Sequence, residues 1–279
     1  MKRTVEPSLV AQQWYVNRNP RGARILVIDI ETAPILGNVW RLWKQNVGLN
    51  QIERDWYILS FAAKWLGENK LVYFDQSREA DIEDDTKLLA RIHELLDKAD
   101  IVVAHNGRKF DLRKINARFI LQGFQPPSPY KIVDTLEIAK AKFAFTSNKQ
   151  EYLSDKLNKD YKKLTHSKYP GFELWKAVMK RDKVAWAEMR EYNEYDVLSL
   201  EEMYINLRHW DDRHPNVNAQ SGDTVHRCPV CGGDHLHSRG HYYTNTGKYQ
   251  RFHCVGCGAW SRGRYTINST EERKALLSK

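Results

Sequence analysis

Apolar positions along this chain follow two periods, and the changes from one to the other mark out its elements. The segment Arg24-Ile-Leu-Val-Ile-Asp29-Ile-Glu31 is an apolar run that acquires two acids near its end; it predicts a buried strand over 24–30. Two further strands are predicted at Trp56–Trp65 and Asn69–Phe74, joined by a turn at Gly67-Glu68. From Asp84 to Ala99 the period lengthens: Leu88, Leu89, Ile92, Leu95 and Leu96 fall on one face of a helix. Ile101–Ala104 predicts a short buried strand, and a helix opens near Asp111 and closes at Gly123. Lys131–Val133 predicts another short strand, Glu151–Leu157 a short helix, and Lys183–Trp210 the strongest helix of the chain. Residues 136–165 are otherwise lysine-rich and mixed. Strands separated by helices imply an α/β domain with a mixed sheet.

The ends read differently. Residues 1–22 are polar, carry Pro20 and Gly22, and predict an irregular N-terminal arm. Residues 211–222 are polar with Pro215 and Gly222, a linker by composition. The expected division is therefore an arm (1–22), a main domain (23–210), a linker (211–222), a small cysteine-bearing module (223–268) and a tail (269–279).

Composition narrows the classes. With 42% hydrophobic and 28% charged residues, the 279-residue chain is globular rather than disordered. Its net charge of +9 favours a polyanionic partner. Residues 221–279 hold nine Lys or Arg against four Asp or Glu, so the C-terminal piece is the more basic per residue. No apolar run is long enough to span a membrane, and the N-terminus lacks the apolar core of a secretory signal. The expectation is an intracellular protein that binds nucleic acid and no membrane.

Candidate chemistry starts with the first strand. Side chains two apart share a strand face, so Asp29 and Glu31 project side by side. Two like charges held that close repel, more so when partly buried, and a divalent cation removes the conflict. Solvated acids ending an ordinary strand would look the same. Asp111, at a strand-to-helix junction, also suits a helix start. Tyr192 and Asp196 stand four apart, so a phenol and a carboxylate share one helical face; that face could equally be solvated, as Glu191 and Glu194 are expected to be.

The ordered set is more specific than any member. A strand Asp29-x-Glu31 comes first, then Ala104-His-Asn-Gly-Arg-Lys-Phe-Asp111, then Val133-Asp-Thr135, then Tyr192 through Asp196. This order resembles the tyrosine-bearing (DEDDy) branch of the DEDD 3′→5′ exonucleases, and is similar to the proofreading domains of family B DNA polymerases, over about residues 23–210. The resemblance implies an RNase H-like fold and two magnesium or manganese ions. It implies Asp29 bridging both ions, Glu31 and Asp196 holding the first, Asp111 the second, and Tyr192 orienting water. It implies single-stranded DNA or 3′ ends as substrate, nucleoside monophosphates as products, Asn106 near the strand, and a possible replication or repair protein as partner. An endonuclease on the same fold and a catalytically silent nucleic-acid adaptor are the alternatives. Arg108 and Lys109 are unexpectedly basic beside a metal site.

The four cysteines form two Cys-x-x-Cys-Gly knuckles, Cys228/Cys231 and Cys254/Cys257. Four thiolates suit one tetrahedral structural zinc, and the pattern resembles a zinc ribbon. His226, His235, His237, His241 and His253 lie nearby as surface or outer groups. Arg239, Tyr243, Lys248, Arg251, Trp260, Arg262 and Arg264 interleave cations with aromatics. Such a set can track phosphates and stack on bases, or serve as the core of a small module.

Overall fold

The computed structural model describes residues 2–164 and 168–277. Six strands form the main sheet: β1 (Lys2–Thr4), β2 (Ile25–Thr32), β5 (Ile58–Trp65), β6 (Lys70–Asp75), β7 (Ile101–Ala104) and β8 (Lys131–Asp134). Their order is β1-β6-β5-β2-β7-β8. β2 pairs antiparallel with β5 and parallel with β7, and β7 pairs parallel with β8, so the sheet is mixed. Between β2 and β5 a small hairpin, β3 (Leu36–Gly37) and β4 (Ile52–Arg54), stands off the sheet.

Alternation along β2 assigns its two faces. Leu26, Ile28 and Ile30 pack against α2 (Thr86–Leu96) and α3 (Asp111–Leu121) through Leu88, Leu89, Ile92, Leu112, Ile115 and Phe119. Ile25 and Val27 face the long helix α7 (Lys183–Leu207), meeting Val197, Leu198, Leu200 and Met203. Asp29 and Glu31 continue that second face toward α7. Opposite them on β5 stand Ala62 and Ser60, small side chains that let the helix approach. A register shift between Glu31 and Thr32 ends the regular ladder beside the acids.

Shorter helices complete the α7 side: α1 (Leu9–Asn17), α4 (Thr135–Lys142), α5 (Gln150–Leu157) and α6 (Glu173–Met179). Three strands, β9 (Leu236–Thr244), β10 (Gly247–Cys254) and β11 (Trp260–Arg262), form a separate antiparallel sheet, followed by α8 (Thr270–Ala275). The architecture is a helix-flanked mixed α/β sheet with a small C-terminal antiparallel β module carrying the cysteines.

Several local expectations change. The region expected to be an irregular lead-in holds two elements: Arg3 pairs with Leu71 at the sheet edge, and Trp14 of α1 joins the core. Short segments of this kind form because tertiary partners complete them, not through their own periodicity. α4 and α6 lie in stretches where no helix was legible. Glu194 is buried rather than solvated, held by Arg3 and Arg190 at 2.8 Å each. Among the described residues, no helix is long and apolar enough to cross a membrane.

Candidate active site

The carboxyl ends of the parallel strands β2, β7 and β8 meet at one edge, where open α/β sheets commonly bind ligands. β2 delivers Asp29 and Glu31. β7 runs into a tight loop, residues 105–110, and then into α3, whose first residue is Asp111. Its carboxylate turns back and accepts from the Ile30 N–H at 3.3 Å. β8 ends in Asp134, which accepts from Asn106 N–H (2.9 Å), Arg108 N–H (3.1 Å) and Leu136 N–H (3.0 Å). One carboxylate thereby fixes the loop that positions Asp111 and caps α4. The same loop needs glycine at position 107, because a Cβ there would meet the Ala104 Cβ at 2.3 Å. Asn106 adopts a left-handed φ of 68° and lines the carboxylate cleft.

α7 supplies the remaining acid. Ligand oxygens of Asp29, Glu31 and Asp196 lie within 4.8 Å of one another. Asp111 stands outside that trio but lines the same cleft, of about 670 Å³. Tyr192, one turn before Asp196, packs edge-on to Trp175 of α6. Arg108, unexpectedly basic in the sequence, turns away and pairs with Glu137 at 3.2 Å.

Four groups not singled out in the sequence organise this centre. Asn193 is fully buried; its Nδ2 donates to Asp29 Oδ2 at 2.6 Å, while its Oδ1 accepts from Ser60 at 3.2 Å. Helical spacing from Asp196 could have flagged it. Lys163 Nζ donates to Asp196 Oδ2 at 2.7 Å and lies 4.6 Å from the Tyr192 ring centre. Nothing in a lysine-rich stretch distinguishes it from Lys162. Buried Glu202 accepts from the backbone N–H groups of Lys159 (2.6 Å) and Tyr161 (2.9 Å), fixing the loop that brings Lys163 in. Gln150 Nε2 donates to the Asp196 carbonyl at 2.8 Å and ties α5 to the site. His105 is bonded to Thr135 Oγ1 and the Asn148 carbonyl, and burial lowers it to about 4, so it is neutral at pH 7.

The electrostatics are unbalanced. Burial, then repulsion from Asp196, Asp111 and Glu31, pushes Asp29 well above the usual carboxylate range. Burial and Asp196 raise Glu31 to about 8. Burial raises Asp111 to about 7 and Asp196 to about 6, the latter restrained by Lys163. Burial would lower Lys163, but Asp196, Tyr192 and Asp29 outweigh it and push it up. Asp196 Oδ1 is buried without a hydrogen-bond partner among the described residues. An acceptor with no donor, among crowded carboxylates, fits a divalent cation.

A pH dependence follows. Carboxyls raised in the fold hold protons that the unfolded chain releases near pH 4, so stability falls as pH rises through their folded values. His105 and His214, both lowered to about 4, act oppositely, but only below about 6.5. Zinc-loaded protein in magnesium-free buffer should therefore melt at a lower temperature at pH 8.5 than at pH 6.5, and magnesium should reverse the loss at pH 8.5. A melting temperature that rises with pH in magnesium-free buffer would contradict the crowding.

The cysteine cluster is built from two like turns. Gly232 N–H donates to the Cys228 carbonyl and Gly258 N–H to the Cys254 carbonyl, each at 2.9 Å, with both glycines at positive φ. Sulfurs of Cys228 and Cys257 lie 3.5 Å apart, and those of Cys231 and Cys254 lie 3.6 Å apart. Tetrahedral zinc with bonds of about 2.3 Å sets such separations near about 3.8 Å, so the four residues fit that metal. The Gly233 N–H approaches Cys231 Sγ at 3.4 Å. Cys228, Cys231 and Cys254 share a core with Trp14, Leu207 and Val217, and Trp14 Nε1 donates to the Cys231 carbonyl at 3.1 Å. Val217, in the 211–222 segment, pairs by its backbone with Ala23 and Pro229.

On the module's sheet, Arg251 lies over Trp260 (4.8 Å) and Arg262 over Tyr249 (4.1 Å) and Tyr242 (5.6 Å). Tyr243 pairs across strands with Lys248 and is exposed, as are Arg239, Trp260, Arg262 and Arg264. These residues lie on and beside one small sheet, outside the carboxylate cleft.

A mixed sheet with recessed carboxylates at the carboxyl ends of its parallel strands can gather divalent cations at one edge. A family model of the RNase H superfamily (RNase_H_2) matches residues 45–208, more than half of the chain, and the chain belongs to that superfamily. The match takes in Asp111, Tyr192 and Asp196 and begins after Asp29 and Glu31. Among solved structures, the chain is similar to the family B DNA polymerase of the hyperthermophilic archaeon Pyrobaculum calidifontis, at 14% identity and a TM-score of 0.47. That similarity covers 67% of this chain and 26% of the polymerase, so this chain spans about a quarter of it. No curated protein matches the chain.

Proposed function

We propose that this protein is a metal-dependent 3′→5′ exonuclease of the DEDDy type that hydrolyses nucleic acid, DNA in preference, to nucleoside monophosphates. The observation that carries the proposal is the convergence of Asp29, Glu31 and Asp196 from elements about 165 residues apart in sequence, with Asp111 in the same cleft. Polarity and product rest on the ordered motif set in the sequence. In this reading the nuclease domain spans 23–210, with 1–22 as an N-terminal arm; 211–222 is the linker, 223–268 a zinc ribbon and 269–279 a tail.

Asp29, Glu31 and Asp196 would hold one magnesium or manganese ion, and Asp29 with Asp111 a second. When bound, such a pair neutralises phosphate charge and activates water. The chain's own groups do the rest. Asn193 holds Asp29 in one rotamer by its 2.6 Å bond. Burial, reinforced by Asp196, pushes the Tyr192 hydroxyl up, so it stays a protonated phenol that orients the attacking water rather than a base. Lys163 offsets part of the negative charge and keeps Asp196 ionised.

Tyr192→Phe should lower the turnover rate by about 10²-fold with an unchanged magnesium dependence; an unchanged rate would remove Tyr192 from the mechanism. The reading as a whole is tested with 5′-labelled single-stranded DNA and RNA, linear and circular, with magnesium, manganese or chelator. Stepwise shortening of linear strands that stops with chelator is expected. Cleavage of the circle would make the enzyme an endonuclease, and inertness toward every substrate would leave a binding protein.

The C-terminal module, in this reading, holds one structural zinc through Cys228, Cys231, Cys254 and Cys257 and helps to grip the strand through Arg239, Tyr243, Lys248, Arg251, Trp260, Arg262 and Arg264. Elemental analysis should find one zinc per chain, lost in Cys228→Ser with Cys254→Ser. Zinc retained in that variant would defeat the assignment.

A further inference from the structure

The strand that carries Asp29 and Glu31 leads directly into a segment that breaks the usual burial rule. From Ala33 to Tyr57 the chain leaves the sheet, forms the small β3–β4 hairpin and returns. At its tip, Trp40 is 94% exposed, Leu42 87%, Trp43 80% and Leu49 89%. Exposed single apolar residues are ordinary, but two nearly bare tryptophans and two bare leucines within ten residues form a patch that marks a binding surface. The sequence Trp40-Arg41-Leu42-Trp43-Lys44 sets two cations among these side chains, and the β3–β4 loop, residues 38–51, contains no acid; Glu53, on β4, is held by Asn38 at 2.8 Å. A second apolar cleft, about 470 Å³, opens at the root of this β3–β4 arm. It begins at Thr32, the residue after Glu31, and is walled by Trp56, Phe172 and Trp175, with Lys114 Nζ 3.8 Å from the Trp56 ring centre.

We infer that this arm is a subsite for single-stranded nucleic acid, in which Trp40 and Trp43 stack on unpaired bases while Arg41 and Lys44 meet the adjoining phosphates. The inference deepens the proposed function and rests on it. Flat aromatic faces bind bases without regard to sequence, and interleaved cations track the backbone. The absence of acids from the loop bearing the tryptophans suits a polyanion better than an average protein surface. Position agrees: Trp40 lies nine residues beyond Glu31, at most about 30 Å of chain, so a strand ending at the carboxylates can reach the arm. Bases paired in a duplex offer no face for such stacking, so the arm selects unpaired strands.

The test uses the full-length, zinc-loaded chain in magnesium-free buffer, where binding is separated from cleavage. A fluorescent oligothymidylate and an abasic oligomer of equal length and charge are titrated against wild type and a Trp40→Ala/Trp43→Ala double variant. Wild type should bind the base-bearing strand at least about ten-fold more tightly than the abasic one. The double variant should lose most of that preference while binding the abasic strand as before. Both tryptophans are exposed, so its melting temperature should match wild type. A variant that keeps the preference, or a wild type that binds both strands equally, overturns the subsite and leaves the arm to a protein partner. The outcome is distinct from failure of the nuclease reading, since magnesium-dependent shortening of DNA by wild type is scored separately.

Discussion

Asp29→Ala should abolish nuclease activity while leaving the protein folded, and Asp196→Ala should do the same. Both acids contribute to the three-carboxylate cluster, and both are raised chiefly by burial. A buried carboxylate repelled by its neighbours costs the fold energy when ionised. Removing Asp29 relieves that repulsion on Glu31, Asp111 and Asp196, at the cost of one hydrogen bond from Asn193. The melting temperature in magnesium-free buffer should therefore stay level or rise. Activity should fall by at least about 10³-fold, because charge neutralisation worth several kcal/mol is lost in the transition state. Asp196→Ala differs in one respect: it removes the carboxylate that pairs with the recessed Lys163 ammonium, so some loss of stability is expected beside the loss of rate. The measurements are a thermal melt and a single-turnover assay on labelled DNA. Full activity in either variant would remove the residue from the site.

Glu201→Ala should cost the fold about 3–5 kcal/mol, the largest single stability effect expected here. Lys64 of β5 and Glu201 of α7 are both fully buried, and Nζ lies 2.6 Å and 2.7 Å from the two carboxylate oxygens. The same carboxylate accepts the Gly67 N–H at 2.7 Å. Truncation leaves a buried ammonium and a buried N–H without acceptors, which costs far more than the pair itself contributes. Lys64→Met with Glu201→Leu should recover much of the loss, since apolar residues of similar volume need no partner. Glu201 stands five residues beyond Asp196 on α7, so the single variant should also loosen the site. Urea denaturation of the three proteins measures the effect. A loss below about 1 kcal/mol for Glu201→Ala would mean that water reaches the pair.

Much of the fold was legible because local and tertiary demands coincided. β2, β5, β6, β7 and β8 and helices α2, α3 and α7 follow hydrophobic periods strong enough to read, since each buries one face or two against the cores on either side of the sheet. α4 and α6 were not legible; they are short and take their stability from α7 and its surroundings rather than from their own pattern. β1 was hidden for a related reason: an edge strand of three residues exists only because β6 offers it a ladder. In the site, Asp29, Glu31, Asp111, Tyr192 and Asp196 were found from strand alternation, a strand-to-helix junction and helical spacing. Glu194 was misread as solvated because i,i+4 patterning reports a helix's faces, not which neighbour covers them. Beside Arg190 one turn earlier, its second partner is Arg3, 191 residues away.

The sequence by itself determined which residues carry charge, sulfur and aromatic rings, and which of them share a strand or helix face. Those are consequences of backbone geometry that repeats every two or 3.6 residues and needs no knowledge of the rest of the chain. Only the tertiary structure decided that the α7 face bearing Asp196 lies over the β2 face bearing Asp29, that Lys163 rather than another lysine enters the site, and that Asn193 orients the central carboxylate. These contacts join residues tens to more than 160 positions apart, and no local period encodes them. They are fixed when two apolar faces close over one core and each polar group caught between them must find a partner.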